Sequence, residues 1–111
     1  MNLTGAHGGN FTNADSMFGK CKKLTTIDLS TMDFSNVYSM NYMFENNLLL
    51  STIYVSNDWN VDNVTNSYNM FNNCSSLVGG NGTTYDSSKI DASMAVIDNN
   101  NHEGYLTLKT N

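Results

Sequence analysis

The chain has 111 residues, a net charge of −5, five basic residues and no proline, which is one domain's length with no room for a second independent core. Phosphate neutralisation needs a basic patch that so few cations cannot supply, so nucleic acid is excluded as a partner. The longest uninterrupted apolar run, Met94 to Ile97, falls far short of the roughly 20 residues that span a bilayer, as does Leu48 to Leu50, and no membrane insertion is expected.

Residues 1–10 read as a flexible lead-in. Asn2 to Asn10 has neither a basic start nor an apolar core, so no secretory signal is read there, which leaves a cytoplasmic protein or a piece of a longer exported one. Residues 11–78 then repeat. Met-Phe recurs at Met17, Met43 and Met70, 26 and 27 residues apart. Cys21, Asn47 and Cys74 follow at one offset, and Leu24, Leu50 and Leu77 at the next. Ile27 aligns with Ile53, Leu29 with Val55, Ser30 with Ser56, and Val37 with Val64, with Phe11 in the slot ahead of Met17. The extra residue of the second unit falls near Trp59, where a turn absorbs it cheaply.

Each unit divides into two elements. Ala14, Met17, Phe18 and Cys21 stand at i, i+3, i+4 and i+7, as do Met40, Met43, Phe44 and Asn47, and Ser67, Met70, Phe71 and Cys74. That spacing predicts a short helix of about two turns, with nearby Asp, Ser and Asn as N-caps. Leu24 to Leu29 and Leu50 to Val55 follow LxxLxL, which predicts a short strand with one buried face. Such a unit buries its apolar face only by stacking on the next. After Leu77 the run Val78-Gly79-Gly80-Asn81-Gly82-Thr83 takes the chain off that path. Residues 79–111 read as a capping segment, with Met94 to Asp98 and Gly104 to Leu108 as the strands of a hairpin across Asn99 to Glu103, covering the last unit's edge.

The units MFxxCxxLTTIDLS and MFxxNxxLSTIYVSNDWN resemble the roughly 26-residue leucine-rich-type repeats of BspA-like bacterial surface proteins. The end of the chain resembles that family's terminal module through Trp59-Asn60, Leu77 to Thr83, Tyr85-Asp86, Asp91 to Ala95, Ile97-Asp98 and Gly104-Tyr105. Two departures are Asn47, where a Cys or similar small core residue is expected, and Glu103, where the family usually has Pro. The resemblance implies display on a cell surface or in the extracellular space and adhesion to host proteins, without naming a ligand. The expected fold is accordingly α/β, a leucine-rich-repeat-like solenoid of short parallel strands and short helices closed by a C-terminal β-hairpin.

Candidate chemistry is sparse. Cys21 and Cys74 occupy one slot two units apart, roughly 10 Å if layers stack at strand spacing, too far for a disulfide, so both read as free thiols in the core. His7 and His102 have no Cys or carboxylate at ligand spacing, and no base stands beside a nucleophile, so neither an enzyme nor a cofactor is expected. Asp58-Trp59-Asn60-Val61-Asp62 opens like a calcium loop but continues with Asn63 and Asn69 where Gly and Glu belong. Gly79 to Thr83 lacks the Lys and helix of a phosphate cradle, and the Asn-x-Ser/Thr triplets follow from composition.

There remains the outward strand face. Thr26, Asp28 and Ser30 would align with Thr52, Tyr54 and Ser56 as neighbouring rows, beside Trp59, and Tyr and Trp are common interface anchors. Two readings follow: a non-catalytic module binding a protein or glycan through this face, or a purely structural segment closing a longer array while the face is merely solvated. A first unit without its own strand suggests a truncated array, with self-association through the N-terminal edge.

Overall fold

The computed structural model describes residues 12–19, 21 and 23–110; the lead-in expected over 1–10, with His7, and the Phe11 slot lie outside the described residues. In the second unit, a helix would carry each N–H back to the carbonyl four residues earlier. Instead Met43 N–H donates to Met40 C=O at 3.3 Å and Glu45 N–H to Tyr42 C=O at 3.2 Å, each closing a turn three residues back. The alternate donors leave the unit: Tyr42, Phe44 and Asn46 N–H groups donate to the carbonyls of Tyr68, Met70 and Asn72, each at 2.9 Å. Positive φ at Tyr42 (58°) and Asn46 (68°) rotates these groups outward, and Ser16, Asn69 and Asn73 repeat the geometry in the flanking units. A left-handed residue every few positions is incompatible with a right-handed helix.

The inward set survives this change. Met40, Met43, Phe44 and Asn47 are all fully buried, because successive tight turns return a side chain to the interior at nearly the spacing of a helix. The central rings stack through the layers, Phe18 on Phe44 at 5.6 Å and 4°, and Phe44 on Phe71 at 5.5 Å and 8°.

The strands form where alternation predicts them, though shorter. β1 (Thr26–Asp28) pairs in parallel with β2 (Thr52–Val55), Ile27 opposite Ile53. Single parallel bridges, Asn13 to Ser39 and Ser39 to Asn66, join the layers on another side. Side-chain amides and hydroxyls add further interlayer bonds: Asn63 to the Ser35 carbonyl (2.7 Å), Asn73 to Asn46 (2.8 Å), and Ser76 to the Leu48 carbonyl (2.7 Å). The wealth of Asn and Ser is thus used to join neighbouring layers as well as to coat them.

The slot shared by Cys21, Asn47 and Cys74 is a donor slot. Asn47 Nδ2 reaches the carbonyls of Phe18 (2.8 Å) and Phe44 (2.7 Å), and Cys74 Sγ reaches that of Phe44 (3.0 Å). Asn47 is therefore less a departure than a second way of satisfying the turn carbonyls that face this slot.

The third layer has no strand of its own. Val78 N–H donates to Ser51 C=O at 3.0 Å, and the chain then turns away through Gly79 to Gly82, the last at φ 93°. Its place beside β2 is taken by β3 (Leu106–Leu108), parallel, with Leu106 opposite Ile53 in the sheet order β1-β2-β3. Ala92–Met94 form a 3₁₀ turn capped by Asp91, so the strand expected over Met94 to Asp98 starts in a turn instead. Ile97 meets Leu106 in a single parallel bridge. The expected hairpin does not form, because Leu106 gains more by entering the core beneath Ile53, where it is fully buried, than by pairing back on its own loop.

The α/β leucine-rich-repeat-like solenoid with a hairpin cap is therefore overturned. Among the described residues there is no α-helix, and the chain is mostly irregular backbone around one small parallel sheet. The Met-Phe segments spend alternate N–H groups between layers and the others on turns that close three residues back, so none is left to build a helix.

Candidate binding face

β1 and β2 turn Ile27, Ile53 and Val55 inward, which sends their neighbours to the opposite face. Thr26 and Asp28 are exposed there, and Thr52 and Tyr54 half-buried, in register as Thr26 beside Thr52 and Asp28 beside Tyr54. β3 extends the second row with Thr107. The structure thus gathers four of the residues expected from the sequence on one sheet face.

Lys109 organises this face, and no spacing in the sequence announces it. Its N–H donates to Val55 C=O at 2.8 Å, holding the backbone to β2 beyond β3. Its Nζ crosses Tyr54, 4.9 Å from the ring centroid, and pairs with Asp28 Oδ2 at 3.1 Å, so one cation spans the three-stranded sheet. Hydrogen bonds from Ser30, joined by Lys109, hold the Asp28 carboxyl below its usual range despite some burial. Both partners are partly solvated, so the pair contributes about 0 to 1 kcal/mol and mainly fixes orientation.

The rows run on to Ser30 and Ser56, which line a recess of about 380 Å³ together with Trp59. Trp59 is fixed on two sides: its Nε1 donates to Ala95 C=O at 2.8 Å, and its ring packs on Phe34 at 5.1 Å and 56°. It is therefore a wall of the recess and a tie to the C-terminal segment, not a freely protruding anchor. Asp33 and Asp58 also line it, and hydrogen bonds from Ser35 hold the Asp33 carboxyl below its ordinary value.

The remaining candidates are placed elsewhere. The polar groups of the calcium-like stretch turn on their own backbone, Asp62 N–H donating to Asn60 Oδ1 at 3.1 Å. No group of three or more His, Cys, Asp or Glu among the described residues could hold a metal. His102 is exposed at the tip of the Asn99 turn. No helix among the described residues is long and apolar enough to cross a membrane.

Both cysteines are free, Cys74 buried and Cys21 half-buried. Burial pushes the Cys74 thiol up to about 12, leaving almost no thiolate at neutral pH. A thiol-disulfide reagent should therefore modify one cysteine of the folded protein, Cys21, and reach Cys74 only on unfolding. Equal rates at the two sites by mass mapping would contradict this packing.

The residues that sequence reasoning missed close the stack. Asp98, 6% exposed, accepts from Asn81 N–H (2.9 Å), Thr83 N–H (3.0 Å), Thr83 Oγ1 (2.7 Å) and Gly104 N–H (3.2 Å). A Cβ on Gly79 would be driven into the Gly104 carbonyl and the Asp98 side chain, and one on Gly104 into the Val96 carbonyl. Tyr105 meets Phe71 edge-on at 5.1 Å and 86°, ending the ring stack, while its hydroxyl donates to Lys89 C=O at 2.8 Å.

Fold and face together define a layered, parallel-bridged domain with one organised polar face and a closed C-terminal end. The chain belongs to the family described as Mycoplasma protein of unknown function, DUF285, which matches residues 3–104. No curated protein and no solved structure matches it.

Proposed function

We propose that this chain is a non-catalytic recognition module of a bacterial surface protein, engaging its ligand through the strand face and the adjoining recess. The observation that carries the reading is the row of Asp28, Tyr54 and Lys109, held in place across the sheet and continuous through Ser30 and Ser56 with the recess at Trp59. A face whose side chains are already ordered loses little conformational entropy on binding. Kinship with BspA-like surface proteins belongs to the same proposal and supplies the adhesive setting. The test is a screen of the chain against immobilised extracellular-matrix proteins and glycans, repeated with Tyr54→Ala and Thr52→Lys, whose circular dichroism must match the parent. Loss of at least about tenfold in affinity in the double variant is expected. Binding by parent and variant alike would remove the strand face from the proposal.

A second reading draws on Tyr105 and β3, which close the third layer: the chain would be the capping end of a longer array. In either case β1 pairs on one side only among the described residues, and such an edge is a template for a further strand. Self-association through it should appear as a rising sedimentation coefficient with concentration; a monomer throughout would count against it.

A further inference from the structure

The recess beside Trp59 has a lining that selects among ligands. Part of the lining is apolar: Trp59, packed on Phe34, and Met32. The indole N–H is already spent on the Ala95 carbonyl, so the ring offers the recess only its apolar surface. The lining also supplies hydroxyls and carboxylates, from Ser30, Thr31, Ser56, Asp33 and Asp58. Among the described residues no cationic side chain lines it. Lys109, on the adjoining sheet face, is paired with Asp28.

That combination suits a sugar ring. A pyranose has an apolar C–H face that packs on an aromatic ring, and an edge of hydroxyl groups that donate to carboxylates and serine oxygens. The volume, about 380 Å³, lies at the lower end for small-ligand sites, which fits one or two rings of a longer chain left in solvent. An acidic sugar fits the same shape but meets Asp33 and Asp58 with no cation among the described lining residues to compensate, on a chain of net charge −5.

We propose that the recess binds a neutral, hydroxyl-rich sugar residue of a glycan against Trp59 and discriminates against acidic sugars through Asp33 and Asp58. This rests on reading the chain as a recognition module and names the ligand class of its recess. Trp59 is the one tryptophan of the chain, so its emission reports this recess alone. The experiment titrates the full chain with neutral trisaccharides ending in galactose, glucose, mannose or N-acetylglucosamine, and with the sialylated counterpart of each. The expected result is a saturable shift in Trp59 emission with at least one neutral glycan, and binding at least about tenfold weaker for its sialylated counterpart. Asp33→Asn with Asp58→Asn keeps the oxygen that accepts from Ser35 N–H, and should narrow the gap between the two glycans while leaving the circular dichroism unchanged.

No emission change with any neutral glycan up to about 10 mM, or equal affinity for the neutral and sialylated forms, would overturn the proposal. So would a response to peptides alone. If a partner binds and is lost in the Tyr54→Ala, Thr52→Lys variant while Trp59 emission stays silent to every glycan, the recess assignment fails and the recognition module stands. If nothing binds in either experiment, both fail.

Discussion

Phe44→Ala should remove about 4 kcal/mol of folding stability, the upper range for deleting a buried aromatic ring. Phe44 is fully buried between Phe18 and Phe71, at 5.6 and 5.5 Å with nearly parallel planes. Its deletion therefore opens a gap with a flat ring on each side. Neither ring can close the gap alone, because the backbone around Phe44 is bonded to its neighbours: its N–H to Met70, and its carbonyl to Asn47 and Cys74. Against a total of about 5 to 15 kcal/mol for a domain, that loss leaves a marginal fold. Urea unfolding followed by circular dichroism measures it. A loss under about 2 kcal/mol would mean that the layers collapse onto the cavity, and that the stack is softer than its backbone bonding implies.

The second large effect belongs to Asp98. Asp98→Ala strands three backbone N–H groups and the Thr83 hydroxyl in the tightest part of the C-terminal segment, where the glycines at 79 and 104 leave no slack. A cost of about 3 kcal/mol is expected, with early loss of the Tyr105 packing signal in the near-ultraviolet. The same carboxylate gives a pH dependence. Burial alone would raise its pKa, but the donors from Thr83, Asn81 and Gly104 outweigh burial and hold it below the ordinary 3.8. A carboxylate depressed in the folded state contributes stability that is complete above its unfolded pKa of about 3.9 and is lost as pH falls through the lower folded value. Wild type should therefore lose more stability than Asp98→Asn between about pH 5 and pH 2. Parallel stability curves for the two proteins would show that Asp98 is not responsible.

The layer period, the inward positions and the two strands were legible in the chain. Ile27 and Ile53 sit opposite each other as their alignment implied, because alternation along an extended segment leaves one choice of buried face. The Met-Phe segments were legible as cores and illegible as helices. Inward residues at i, i+3, i+4 and i+7 arise from a helix or from a run of tight turns, and side-chain spacing does not distinguish them. A weak signal was present in Asn46, Asn69 and Asn73, since Asn tolerates positive φ better than most residues. Tyr42, also at positive φ, carried none.

The binding face divides in the same way. Thr26, Asp28, Thr52 and Tyr54 follow from the strand period, whereas the Lys109 pairing with Asp28 joins residues 81 apart in sequence, and the Trp59 bond to Ala95 joins residues 36 apart. What the sequence determined by itself is therefore periodic: which residues face inward, how far apart the layers recur, and where short strands lie. Only the tertiary structure decided where each backbone N–H finds its acceptor. When the donors of a turn cross to the next layer, as those of Tyr42, Phe44 and Asn46 do, no helix forms. When the third layer breaks at Gly79, the open edge of β2 takes Leu106 to Leu108 from the far end of the chain. Both outcomes depend on partners distant in sequence, and a local pattern carries no information about which partner will arrive.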